Sequence, residues 1–146
     1  MKLIPSALVL AALGTASPCF AGVYTDDLAK CLVESTTAQD RTTLVRWMFS
    51  AATAHPDVAS IAKVSPAVME KSNEQVADLM VKLLTESCVD KSKKAIKYEG
   101  PAAIQMSFQV LGQVAGSELF SNPEVQKATA GLEKHIDKQK LAALGK

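Results

Sequence analysis

Ser60 and Lys63, in the tetrapeptide Ser60-Ile61-Ala62-Lys63, have the S-x-x-K spacing by which penicillin-recognising enzymes set a serine nucleophile near a lysine. That chemistry also needs K-T-G and S-D-N elements on a much longer chain, and neither occurs in these 146 residues. The two histidines, His55 and His135, stand far apart and outside any H-E-x-x-H spacing, so they do not form the nucleus of a zinc site. There is no G-x-S-x-G elbow, phosphate loop or dinucleotide fingerprint. The expectation is therefore a chain with no catalytic residues, no metal and no cofactor.

Binding chemistry has better candidates. Arg41 and Arg46 are the only arginines, and Arg46 adjoins the only tryptophan, Trp47, in the run Leu44 to Ala52. A guanidinium on a largely buried helix must be paired, with Glu99 or Asp57 as internal partners, or with a ligand or another protein. Lys91, Lys93, Lys94 and Lys97 form a basic cluster suited to an anionic group or an acidic surface, although a solvated helix face explains it as well. Trp47 and Met48 on the central helix and Phe108 further on give apolar contact surface. With Met80 and Met106 they suggest an alternative, a small apolar ligand held between the central helix and the helix that follows Pro101.

The N-terminus bears on where such chemistry would operate. Lys2, the apolar stretch Leu3 to Leu13 and the small residues up to Ala21 follow the order of a secretory signal peptide, with Cys19 and Ala21 as the small residues before a cut at Gly22. The apolar stretch is too short to span a bilayer. Lipidation of Cys19 is disfavoured because Ala16-Ser17-Pro18 lacks the usual leucine. The domain organisation expected is a leader over residues 1–21 and one domain over 22–146, periplasmic or secreted, with no membrane span in the mature chain. Cys31 and Cys88 are then the two cysteines left in an oxidising compartment, and a disulfide between them is expected. Closing that span would stabilise the fold by up to about 4 kcal/mol in the chain-entropy model. The charge balance of 16 Lys and Arg against 15 Asp and Glu gives no field that would argue for nucleic acid.

The elements that position these residues read as helices throughout. Thr25 caps a first helix over about 26–35, with Leu28, Cys31 and Leu32 on one face. Thr37 or Asp40 starts the central helix, which ends before His55-Pro56 and whose wide apolar arc marks it as the core of the fold. Pro56 and Ser65-Pro66 each open a further helix, the second reaching Cys88 with a potential break at Ser72. Gly100-Pro101 separates the basic helix from one in which Gly112 and Gly116 would let a neighbour approach closely. Asn122-Pro123 opens a last helix carrying Val125, Thr129, Leu132 and Ile136, and Asp137 caps a final turn. The fold class expected is all-α, a single bundle of about five to six helices stapled by one disulfide.

The segments CLVESTTAQDRTTLVRWMFSAATAHPDV, LLTESC and KYEGPAAIQMSFQVLGQVA resemble small exported helical proteins of Gram-negative bacteria, a group that brings no activity to transfer. In general plan the chain is also similar to periplasmic immunity proteins of secreted-amidase effectors and to acid-stress chaperones. The function expected is a non-enzymatic binding or protein-interaction domain, of which an inhibitor or immunity-type protein is one version. The partner would be another protein.

Overall fold

Thr37 and Asp40 form a capping box: the Thr37 hydroxyl accepts from the Asp40 N–H, and the Asp40 carboxylate accepts from the Thr37 N–H at 2.9 Å. Similar local chemistry sets most helix starts in the computed structural model, which describes residues 22–145. Ser65 accepts from Val68 N–H ahead of Pro66, and Asn122 accepts from Glu124 N–H ahead of Pro123. The resulting helices are α1 (Val23–Ser35), α2 (Ala38–Ala52), α3 (Pro56–Ala59), α4 (Pro66–Lys82), α5 (Val89–Glu99), α6 (Ala102–Phe120), α7 (Pro123–Thr129) and α8 (Lys138–Ala142). No strand occurs among the described residues. The expected leader lies outside them.

The chain is all-α, and the disulfide between Cys31 and Cys88 is present. The eight helices among the described residues exceed the five to six expected because α3, α7 and α8 are short pieces. Five longer helices, α1, α2, α4, α5 and α6, make the bundle. The last helix was expected to run through Ile136, but it changes to a 3-10 segment at Ala130–His135, where Gly131 weakens helical preference. In contrast, α4 passes unbroken through Ser72, since Ser65 and Pro66 already provide its start.

The centre of the bundle is α1 against α6, and not α2 as expected. Leu28 and Leu32 of α1 and Leu111 of α6 are 0% exposed. The stripe Ala103, Ser107, Leu111 and Ala115 repeats every four residues, so its small side chains bring α6 close to α1. Ser107 is the polar member of that stripe, and its hydroxyl lies within hydrogen-bond reach of Thr25 O at 2.9 Å and Ala103 O at 2.8 Å. From α2 only Leu44 is buried, at 7% exposed, while Phe49 is 58% exposed. A wide apolar arc shows what a helix can bury; here neighbours cover only the sides that face α4 and α6.

Two junctions depart from regular helix. After Lys82 the chain widens into a π segment, Leu83–Ser87, closed by Cys88 N–H to Leu83 O at 2.8 Å. It leads directly to the disulfide. At Gly100 the backbone takes φ 84°, a conformation that glycine adopts without strain, and turns α5 into α6. Just before it, the Glu99 carboxylate accepts from Tyr24 N–H at 2.9 Å, Thr25 N–H at 2.8 Å and the Thr25 hydroxyl at 2.6 Å. Gly22 thus occupies the N-cap position of α1 expected for Thr25. Gly112 and Gly116 face open space, with nothing within 4 Å of where a Cβ would stand, so no helix uses them for close approach.

Candidate functional site

The middle of α2 is tied to α4 by Trp47, whose Nε1–H donates to Asn73 Oδ1 at 2.9 Å. Beside this tie the two helices enclose a cleft of about 320 Å³. Gln39, Thr43, Arg46 and Ser50 recur at helical spacing along α2, and Val68, Lys71, Ser72 and Gln75 do so along α4. Each set is one face of its helix, and the two faces meet across the cleft.

The lining contains two cations and no carboxylate. Neither Arg46 nor Lys71 has an ion pair with a described residue. Ser72 is 8% exposed, and its hydroxyl makes no hydrogen bond to another described residue. Thr43 directs its hydroxyl to Gln39 O at 3.1 Å, which leaves its lone pairs free to accept. A guanidinium, an ammonium, a free hydroxyl and two amides converging in one recess are suited to an oxyanion, above all a carboxylate met by the planar fork of arginine. The lining of the recess has no histidine, no cysteine and no carboxylate.

The two arginines divide their roles differently from expectation. Arg46 is exposed at the cleft, and the buried guanidinium is that of Arg41, with a side chain 18% exposed. Arg41 Nη1 donates to Thr36 O at 2.7 Å, and Nε stands 2.7 Å from Glu118 Oε1. The Nε–H direction misses that oxygen, so the contact is a charge pair and not a straight hydrogen bond. Glu99, expected as a partner for Arg46, is engaged at the start of α1, and Asp57 lies beside His55.

The other expected contact residues are not assembled into one site. Trp47 and Met48 are half-buried on α2, and Phe108 packs on the core from α6. Lys91 is engaged with Asp27 at 2.8 Å and joins α5 to α1. Lys94 and Lys97 line a separate shallow hollow with Asp90 and Tyr98. Lys97 sits 5.1 Å from the Tyr98 ring, which stacks on Tyr24 at 4.8 Å. The groove between α2 and α6, expected to hold an apolar ligand, is crossed by Arg41 and Glu118 and lined by Val45, Ala115 and Leu119, without Met48, Met80 or Met106.

Sequence reasoning missed Lys71, Ser72, Gln75, Gln39 and Thr43. Their signal was a polar stripe at i, i+4 and i+7 on α2, which gains meaning only once α4 is placed opposite. His55 Nδ1 accepts from Asp57 N–H at the start of α3, and Ser60 donates to Asp57 O at 3.1 Å, so both are engaged in local turns. No cluster of three or more His, Cys, Asp or Glu able to hold a metal occurs among the described residues. Compared with known proteins, the chain matches no family, no curated protein and no solved structure.

Proposed function

We propose that this chain is a non-enzymatic binding domain, exported to the periplasm or secreted, that engages another protein through the α2–α4 face. The observation that carries the reading is the cleft, whose lining has no acid and two cations that make no ion pair among the described residues. An acidic side chain or chain terminus of the partner would enter it. Phe49 is one helical turn from Arg46 on α2, and Val68 is half exposed at the cleft, so apolar contact surrounds the charged recess. An arginine next to an exposed aromatic residue is the composition of an interface hot spot. An inhibitor or immunity-type protein would use such a face, and the disulfide suits an oxidising compartment.

The test is capture with crosslinking from periplasmic extract, using the wild type and the double variant Arg46→Glu, Lys71→Glu. The expected result is a protein held by the wild type and lost from the variant at equal thermal stability. Recovery of the same proteins by both, or of none above background, would overturn the reading.

A second reading, a carrier of a small apolar ligand, is favoured by an open hollow of about 590 Å³ between the end of α2 and the start of α4, mostly apolar through residues such as Ala51, Val64 and Met69 but also lined by Ser50, Thr53 and Lys63. Native mass spectrometry of freshly isolated protein decides it, because a clean ligand-free mass would sink it.

A further inference from the structure

The Glu99 carboxylate lies against the backbone of Gly22. A Cβ on Gly22 would collide with both carboxylate oxygens and with Cδ, so the space that a side chain would need is already filled by the acid. Glu99 accepts three hydrogen bonds from Tyr24 and Thr25. Among the described residues it has no cation within ion-pair distance. An anion held in this way at the start of a thirteen-residue helix is stabilised by N–H groups and the helix dipole, but its charge is unmatched.

Gly22 is also the residue that follows the expected leader cut after Ala21. Cleavage there would turn the Gly22 nitrogen from an amide into an α-ammonium, one bond from the Cα that the carboxylate abuts. We propose that Glu99 is a built-in receptor for the α-ammonium of Gly22, so that leader removal completes an ion pair fastening the mature N-terminus to the end of α5. In the uncut chain the same position is a neutral amide. Processing therefore changes the charge at the seat from minus one to zero and tightens the α1–α5 junction only in the mature form.

Other groups near the seat do not replace this pairing. The neighbouring residues on α1 are Tyr24 and the acidic Asp26 and Asp27, the last paired with Lys91. On α5, Lys97 lies over Tyr98, and α6 carries no charge before Glu118. The Glu99 carboxyl is held below the usual glutamate range, first by the Thr25 hydroxyl, so it is ionised wherever the α-ammonium is present. A carboxylate raises the pKa of the amine that it pairs with. The pair thus contributes stability in full below the unfolded α-amino pKa of about 8 and loses it as pH rises through the folded value.

The inference rests on the export reading, and the experiment separates the two. The full chain is exported from a Gram-negative host, and its intact mass is measured, followed by NMR titration of the N-terminal amine in wild type and Glu99→Gln. The expected result is a mass starting at Gly22 and an α-amino pKa about one unit higher in the wild type than in the variant. An uncut mass overturns both readings, and a cut at another residue overturns the receptor role alone. A mass starting at Gly22 with equal pKa values in the two proteins overturns the receptor role and leaves export standing. Gly22→Ala provides a second measurement, since its methyl displaces the carboxylate: its α-amino pKa should fall to that of Glu99→Gln, and an unchanged wild-type value counts against the proposal.

Discussion

Trp47 and Asn73 hold α2 and α4 together through a single 2.9 Å hydrogen bond at the edge of the α2–α4 cleft. Trp47→Phe retains much of the ring and removes the donor. It should lower stability by about 1 kcal/mol, read as a shift in the urea midpoint. Weaker capture of the crosslinked partner should accompany that shift, because the tie sets the distance between Arg46 and Lys71.

Arg41 and Arg46 lie on one helix and should respond in opposite ways. Arg41→Ala removes the donor to Thr36 O and leaves Glu118 without its partner; the expected loss is about 1–2 kcal/mol in denaturant unfolding. Arg46→Ala should change stability by less than about 0.5 kcal/mol, since its side chain has no internal partner among the described residues. Equal losses in the two variants would contradict the assignment of Arg41 as the structural arginine.

Leu111 and Phe49 test where the core is. Leu111→Ala opens a cavity beside Leu28 and Leu32 and should cost about 3 kcal/mol by thermal or urea unfolding. Phe49→Ala should cost less than about 1 kcal/mol, because most of the ring already meets water.

Acid should weaken the fold through Asp40. Its carboxyl is held below the usual aspartate range, first by the Thr37 backbone N–H and then by the Thr37 hydroxyl. A carboxyl whose pKa is depressed on folding adds stability above its unfolded value near 4, and that stability is lost as pH falls through the folded value. Asp27, lowered first by its hydrogen bond from Lys91, acts in the same direction. The urea midpoint should therefore decline from about pH 4 downward, and Asp40→Asn should flatten that decline. An identical acid profile in the variant would remove Asp40 as a cause.

Except at the start of α1, where Glu99 from a distant helix takes the place expected for Thr25, caps, prolines and the disulfide were legible in the chain because each depends on nearby atoms or on a residue count. Thr37 with Asp40, Ser65 with Pro66, and Asn122 with Pro123 start helices wherever the rest of the protein lies. Core position was not legible from apolar width. α2 and α6 both have wide apolar arcs, but α6 has the small residues that allow a close neighbour, and it is α6 that lies against α1. The arginines show the same limit. Arg41 lies three residues before Leu44, on its side of the helix, and Arg46 lies two after it, near the opposite face; the spacing held the answer, but proximity to Trp47 was a misleading cue. The cleft required two helices distant in sequence, so no local pattern could display it.

The π segment at Leu83–Ser87 acts on everything that follows it. Along a regular α-helix, Cys88 would point about 140° away from Leu83. The wider turn brings both onto the buried side, at 1% and 2% exposed. Helical phase accumulates along the chain, so one residue absorbed at this point resets the facing of Cys88 and the starting orientation of α5, including Lys91 and Glu99. The segment is a phase corrector. If these five residues relaxed into a regular α-helix with none removed, every side chain would remain and the sulfur would still turn away from Cys31, so the alignment of two helices depends on an irregularity between them.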